Sequence, residues 1–152
     1  MTIYHSYIPQ SPLATFVDAF WLYEGSAPAH AKERILPHGS MQLIINLRED
    51  MIGVYDRQRD NHLQRFGGCL ISGAYSEFSV IDTASLVSVM GASFKPGGAF
   101  PFLKLPAGEL HNMDVSLETL WGLRPMIYAI NCWSPRRRGP DSVFLSRPFW
   151  RG

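Results

Sequence analysis

The sequence has few cysteines and no long apolar run. Its 152 residues include only Cys69 and Cys132, too few for the spaced framework of a disulfide-stabilised domain. No stretch approaches the roughly 18 apolar residues of a membrane-spanning helix, and the N-terminus lacks the basic start and apolar segment of a secretory signal. We therefore expect a cytoplasmic protein with free thiols and no membrane association.

Motifs for phosphate binding and catalysis are also missing. The chain contains neither Gly-x-x-x-x-Gly-Lys-Ser/Thr nor Gly-x-Gly-x-x-Gly, and no serine lies in a Gly-x-Ser-x-Gly elbow. Its five histidines include no His-x-His pair of the kind that a cupin metal site uses. We therefore expect no enzyme activity, no metal and no cofactor. Of the five histidines, only His38, in a predicted turn, is a candidate for a role at a site.

The composition is that of one globular domain with an uneven charge. Hydrophobic residues make up 46% and charged residues 18%, and 152 residues suffice for one core but not comfortably for two. Residues 1–123 carry eight Lys or Arg against twelve Asp or Glu, a balance of −4, whereas residues 124–152 carry six arginines against one aspartate, a balance of +5. Any attraction to nucleic acid would therefore come from the C-terminal segment.

The first 94 residues are dominated by strand patterns. Ser11 before Pro12 predicts a capped short helix, and the aromatic segment after it predicts a strand. Further strand-like segments follow at 34–47, 69–82 and 84–94. Because strands follow one another at hairpin-like spacing without crossover helices, the sequence predicts a mainly β (α+β) fold. We expect an antiparallel, cupin-like small β-barrel with short helices at the N-terminus and after a Pro-Gly-Gly turn.

The turn Pro37-His38-Gly39 separates two of these strands, and its glycine supplies backbone freedom. In the strand that follows, alternate residues share a face: Met41, Leu43, Ile45 and Leu47 on one side, and Gln42, Ile44 and Asn46 on the other. Such a half-polar second face is typical of the inner wall of a barrel.

Aromatic side chains with a few polar groups are the usual lining of a small-molecule pocket in a barrel mouth. The residues that we expect to line such a pocket are Trp21, Tyr23, Met41, Gln42 and Phe94. The alternative is that these side chains only fill the core.

The segment Pro96-Gly97-Gly98 ends the last predicted strand. Proline cannot donate a hydrogen bond to a strand ladder, so the strand stops at Phe94, and the two glycines let the chain turn. We expect the apolar segment 99–105 to pack back on the barrel, and Ser116 to cap a final helical turn.

Four blocks of the sequence resemble the N-terminal domain that precedes the DNA-binding domain of many bacterial AraC-type transcription regulators. They are "YHSYIPQSPLATFVDAFWLYEG", "ILPHGSMQLIINL", "SFKPGGAFPFLKLPAGEL" and "MDVSLETLWG", which together span about residues 4–123. The resemblance implies a β-rich regulatory domain that senses a ligand or forms dimers. The family turn usually reads Pro-Asp-Gly, and here His38 replaces the acidic residue. A DNA-reading half would need about 100 residues, and 29 follow residue 123 in this sequence, so we expect that half to be missing.

Residues 124–152 differ from the rest of the chain in having four prolines in 29 residues, an Arg-Arg-Arg run and no amphipathic period. One hypothesis is that a single-base deletion near Arg124, in the gene or in its sequencing, shifted the reading frame and produced this segment. The nucleotide sequence around that codon tests it. The alternative is a nucleic-acid-binding arm, in which the arginines contact phosphates beside Trp133 and Trp150.

We therefore expect residues 1–123 to form the regulatory domain of an AraC-type transcription regulator, which senses a small-molecule effector or mediates homodimers. Nucleic acid would be bound only through the missing C-terminal domain. Two alternatives stay open, namely a cupin-like metal-dependent enzyme and a stand-alone dimerising partner of a full-length regulator.

Overall fold

A computed structural model describes residues 2–26, 32–56, 62–83 and 86–122. The predicted segment 124–152, with Cys132 and its arginines, lies outside these ranges. The described strands are β1 (Ile3–Tyr7), β2 (Val17–Glu24), β3 (Lys32–Ile35), β4 (Gln42–Asn46), β5 (Met51–Asp56), β6 (His62–Gly67), β7 (Cys69–Ser72), β8 (Ser79–Asp82), β9 (Ser88–Phe94) and β10 (Asp114–Ser116). The helices are α1 (Phe100–Leu103) and α2 (Leu117–Trp121), with 3₁₀ helices at Leu13–Thr15 and Ala107–Leu110.

The strands form two sheets in which every described pairing is antiparallel. The large sheet has the order β1-β2-β9-β4-β7-β10, and the small sheet has the order β3-β8-β5-β6. The prediction of a mainly β, antiparallel fold is therefore confirmed. Over the described ranges the two sheets do not close into a barrel.

Neighbours in sequence are often not neighbours in the sheets. The strands on either side of the Pro37-His38-Gly39 turn do not pair with each other, because β3 pairs with β8 and β4 pairs with β7 and β9. The turn therefore carries the chain from the small sheet to the large one. Within the charged segment at 48–68, β5 pairs antiparallel with β6, the next strand along the chain.

The core lies along the centre of the large sheet. Cys69, Leu70 and Ile71 of β7 are 3%, 1% and 1% exposed, so this strand is covered on both faces. Burial of this kind explains why the sequence of β7 is continuously apolar instead of alternating. The neighbouring strands add Val89 and Ala92 of β9 to the same core.

The N-terminal region differs from its prediction in two ways. The predicted helix is only the 3₁₀ helix at Leu13–Thr15, and its N-cap is Pro12 with no capping side chain, so the prediction of Ser11 as the cap is wrong. Before it lies β1, which the sequence did not reveal. All five residues of β1 are exposed, and the strand pairs with β2 as one edge of the large sheet.

The Pro-Gly-Gly segment turns the chain, as predicted. β9 ends at Phe94, and Gly97 has a φ of +73°, in the region that favours glycine. A Cβ atom on Gly98 would lie 2.0 Å from the carbonyl oxygen of Phe16, so only glycine allows this approach of two backbone segments. Helix α1 then packs through Phe102, whose ring centroid lies 5.8 Å from those of Phe16 and Phe94.

The C-terminal part of the described chain contains a strand where short helical pieces were expected. β10 pairs with β7 and completes the large sheet, and α2 follows it directly. The cap prediction is confirmed, because the Ser116 hydroxyl oxygen accepts a hydrogen bond from the Glu118 backbone N–H at 3.3 Å. Every helix in the described ranges falls short of the length and apolar character that spanning a membrane requires.

Candidate functional site

A cavity of about 420 Å³ lies between the two sheets. This volume is within the usual range for small-molecule sites, roughly 300 to 1,000 Å³. The large sheet lines it with residues from β1, β2, β9, β4, β7 and β10, and the small sheet with residues from β3, β8 and β5. We call the first side the floor and the second the roof.

One row of the floor is polar across four neighbouring strands. Ser93 of β9 lies opposite Gln42 of β4, Gln42 lies opposite Ser72 of β7, and Ser72 lies opposite Asp114 of β10. Directly opposed residues in an antiparallel pair point to the same face, and all four line the cavity. The row places hydroxyl, amide and carboxyl groups along one side of the site.

The next row of the floor is apolar and depends on a glycine. Ile44 lies between Leu70 on one side and Gly91 on the other, and Gly91 lies opposite Trp21. A Cβ atom on Gly91 would lie 2.3 Å from Cζ2 of Trp21 and 2.4 Å from the carbonyl oxygen of Leu43. The indole ring therefore lies across the backbone of β9, where only the missing side chain leaves room for it.

A third row adds two tyrosines at the β1 side of the floor. Tyr4 lies opposite Tyr23, which lies opposite Val89, and all three line the cavity. Tyr4 is 63% exposed. The aromatic end of the site is therefore also open to solvent.

The roof is mostly aliphatic. Its apolar lining residues are Ile35, Ile52, Val54 and Ile81. Glu33 and Thr83 add polar groups to the roof, and Glu33 lies opposite Ile81 in the pairing of β3 with β8.

Asp114 and Tyr75, which both line the cavity, are joined by a hydrogen bond. The Tyr75 hydroxyl donates a hydrogen bond of 2.8 Å to Oδ2 of Asp114. Burial raises the pKa of Asp114 above its ordinary value of 3.8, although hydrogen bonds from Tyr75 and Ser72 oppose that change. Burial, together with the charge of Asp114, also raises the pKa of Tyr75. Tyr75 is therefore a neutral hydrogen-bond donor at neutral pH.

A second cavity of about 460 Å³ lies on the other side of this contact. Val54, Tyr75, Ser79 and Asp114 line both cavities. The Tyr75–Asp114 hydrogen bond therefore stands at the boundary between the two spaces.

Three of the five residues predicted to line a ligand pocket do line the cavity: Trp21, Tyr23 and Gln42. Met41 and Phe94 are each 6% exposed and belong to the core, outside the lining. In β4 the predicted half-polar face is the one that faces the cavity, through Gln42 and Ile44.

The two predicted turn motifs have different relations to the site. His38 lines the cavity, whereas Pro37 and Gly39 beside it do not. The Nδ1 atom of His38 lies 3.4 Å from the Ser40 hydroxyl. Pro96, Gly97 and Gly98 lie outside the lining and serve the turn described above.

The sequence did not reveal Asp114, Tyr75, Ser72 or Ser93 as site residues. The pattern around Asp114 predicts short helical pieces, and the serines resemble ordinary strand residues. The available signal was the two-residue period of side chains along any strand, which places Ser72, Ser93 and Asp114 on one face once β7, β9 and β10 are paired through β4.

The described ranges contain one free thiol and no cluster of potential metal ligands. These ranges contain no group of three or more His, Cys, Asp or Glu side chains that could hold a metal ion. Cys69 is a buried free thiol outside the cavity lining. Burial, with the nearby charges of Glu118 and Asp50, raises its pKa, so it is a poor nucleophile.

Comparison with known proteins gives one result. A family model described as a domain of unknown function (DUF6597) matches residues 5–116. No curated protein and no solved structure matches the chain.

Proposed function

The chain belongs to the DUF6597 family of domains of unknown function, and we propose that it is a ligand-sensing domain that binds a small organic molecule between its two sheets. The observation that carries this proposal is the cavity of about 420 Å³, with an apolar floor and roof and one polar row. A cavity with a mostly apolar lining and a few convergent polar groups is the usual form of a small-molecule site.

We further propose that the ligand regulates transcription, with the domain acting as the sensor of an AraC-type regulator. Its support is the resemblance of the four sequence blocks to the domain that precedes the DNA-reading half of such regulators. A cupin-like origin of the fold belongs to the same proposal, and the enclosure of one cavity by two antiparallel sheets supports it. Ligand would act by stabilising one arrangement of sensor and reader over another, by no more than its difference in affinity for the two.

Binding is tested with the full chain and Nile red, a neutral dye whose fluorescence rises in apolar surroundings. We expect saturable binding at one site. Leu70→Trp, which fills the floor with a larger side chain, should abolish it. Thr119→Trp is the matched control, because Thr119 is exposed on α2 and outside the lining. Equal dye binding by both variants, or no binding by the wild-type chain, would contradict a ligand site in the cavity.

Regulation is tested separately by fusing the full chain to a DNA-binding domain that represses its operator only as a dimer. If the chain senses ligand, a compound that displaces Nile red should change repression of a reporter gene, and Leu70→Trp should remove the change. Repression that is constant with and without a displacing compound would argue against a regulatory role while leaving the binding site intact.

A dimerising role has one specific observation in its favour. β1 is an edge strand with no described partner beyond β2, and it and the next residue expose Ile3, Tyr7 and Ile8. Exposed apolar edge strands readily pair with another chain. We propose a second copy as that partner. Sedimentation equilibrium should give a dimer that Tyr7→Lys converts to a monomer, and a monomeric wild-type chain would overturn this role.

A further inference from the structure

We infer that the cavity selects a small organic amine, whose ammonium group binds at Asp114 and whose apolar body lies over Leu70 and Ile44. The inference rests on the proposed ligand site and specifies the chemistry of its occupant. Three features of the cavity carry it: the signs of the charges that line it, the hydrogen-bonding capacity at Asp114, and the order of polar and apolar groups along the floor.

The first feature is the balance of charged side chains. The described residues that line the cavity include two carboxyl groups, Glu33 and Asp114, one imidazole group, His38, and neither lysine nor arginine. An anionic ligand would therefore find no lysine or arginine to offset its costly desolvation, and the only imidazole in the described lining, His38, is exposed in the turn. A cation would instead find a carboxylate and the negative faces of aromatic rings.

The second feature is unused acceptor capacity. Asp114 accepts hydrogen bonds from the hydroxyl groups of Tyr75 and Ser72. An ionised carboxylate offers about four lone-pair sites, so about two stay available. These two donors also fix the orientation of the carboxylate. An ammonium group, with three donors and no acceptor, suits a site of this kind.

The third feature is the position of Asp114 at one end of the floor. From β10 the neighbouring strands are β7 and then β4. Leu70 and Ile44 lie one and two strands across from Asp114 and two residues along, in the next row, so they are about 8 and 12 Å away. Trp21 on β2 is four spacings away, roughly 19 Å. A ligand anchored at Asp114 would therefore place its apolar body on the aliphatic residues, and only a longer one would reach the indole ring.

Titration calorimetry with three probes that share an indole body tests the inference. Tryptamine is a cation, tryptophol is neutral and indole acetate is an anion at pH 7. We expect tryptamine to bind at least about ten-fold more tightly than tryptophol, and indole acetate to bind more weakly than both. Equal affinities, tighter binding of tryptophol or indole acetate, or no binding of tryptamine would overturn the inference.

A substitution at Asp114 tests whether its charge causes the preference for tryptamine over tryptophol. Asp114→Asn keeps the shape of the side chain and an oxygen that can accept from Tyr75, but it removes the charge. We expect tryptamine to fall to the affinity of tryptophol, with tryptophol itself changed less than three-fold. Glu109→Gln is the matched control, because Glu109 is an exposed carboxyl group outside the lining. A tryptamine preference that survives in Asp114→Asn would contradict the role of Asp114.

The outcome is separable from that of the proposed function. If Nile red binds in the cavity but tryptamine shows no preference, the amine inference fails and the ligand site stands. If Nile red does not bind at all, the ligand site itself fails. Because the three-probe comparison uses the wild-type chain, it decides the inference even if Asp114→Asn does not fold.

Discussion

The two sheets that enclose the cavity contribute very different shares of the hydrophobic core. Among the described strands, the large sheet contributes Val17, Cys69, Leu70, Ile71, Val89, Ala92 and Phe94 to the buried apolar residues, whereas the small sheet contributes Ile52. The small sheet instead shows cation–π contacts, with Lys32 over Tyr55 and Arg34 over Phe78. The floor therefore contributes most of the buried apolar residues that stabilise the fold, and the roof contributes few.

This difference suits a sensing domain. A floor covered on both faces keeps the polar row and Trp21 in fixed positions, because packed interiors resist small displacements. A roof with fewer buried contacts opens at a lower free-energy cost than the floor. We therefore expect ligand entry to involve the small sheet, and we expect substitutions in the two sheets to differ in size of effect.

The largest losses of stability are expected at Leu70 and Ile71. Leu70 and Ile71 are adjacent on β7 and equally buried, but only Leu70 lines the cavity. Each substitution by alanine should lower the free energy of unfolding by about 2 to 5 kcal/mol, because it removes packed methyl groups and leaves a void. Urea denaturation measures the loss.

The affinities of Ile71→Ala and Leu70→Ala for Nile red distinguish a residue of the core from a residue of the cavity lining. Ile71→Ala should leave the affinity for Nile red unchanged at temperatures where the chain is folded, whereas Leu70→Ala should change it, since the floor is altered. If Ile81→Ala, in the roof, lowered the free energy of unfolding as much as Ile71→Ala, the large sheet would not contribute more to stability than the small sheet, and this comparison would be wrong.

Gly91 should give the next largest effect. In Gly91→Ala the new methyl group would lie within 2.4 Å of Trp21 and of the Leu43 carbonyl oxygen. Relieving that overlap should cost about 1 to 3 kcal/mol of stability and should shift the fluorescence of Trp21. Gly108→Ala is the control, because nothing lies within 4 Å of the place that its new methyl group would occupy. Equal stability of the two variants would show that the indole ring does not lie across β9.

Gly91 also illustrates which features of the structure the sequence alone could not predict. Local patterns were sufficient for most of the strands, though not for β1 and β10, and for the end of β9 at Phe94 and the faces of β4, because proline chemistry and alternation are properties of a single segment. Pairing is not local. Only the register of β2 with β9 brings Trp21 to Gly91, and only the pairing of β10 with β7 brings Asp114 to Ser72.

The same reason explains the missed elements. β1 and β10 are edge strands of five and three residues. An edge strand is held mainly by hydrogen bonds to one neighbour, so its own sequence carries little hydrophobic pattern. The local sequence therefore did not identify Asp114 as a site residue, although it is the charged group at the end of the polar row.

A smaller effect is expected from Tyr75→Phe. The substitution removes the hydrogen bond to Asp114 and should lower the free energy of unfolding by about 1 kcal/mol. The pKa of Asp114 should rise further, because the bond from Tyr75 favours the ionised carboxylate. Nuclear magnetic resonance titration of the Asp114 carboxyl group measures the change. A lower pKa in the variant would contradict the contact. Tyr55→Phe, outside the lining of the first cavity, is the control.

The pH dependence of stability gives a further comparison, with a defined sign. The pKa of Asp114 in the folded chain lies above its ordinary value of 3.8. Between these two values the folded chain binds more protons than the unfolded chain, so the contribution of Asp114 to stability falls as pH rises. The difference in unfolding free energy between wild type and Asp114→Asn should therefore decline across that window and level off above it. A difference that rises with pH would contradict burial of the carboxyl group.

The smallest effect should come from the outer contacts of the roof. The Lys32 Nζ atom lies 4.0 Å from the centroid of the Tyr55 ring, and Lys32 is exposed. A cation–π contact at an exposed site contributes about 0.5 to 1 kcal/mol, so Lys32→Met, which keeps the apolar stem, should cost no more than that. Lys95→Met is the control without a described ring contact. If Lys32→Met lowered stability as much as Ile71→Ala, the small sheet would be as important to the fold as the large one. The light roof would then no longer explain how a ligand enters.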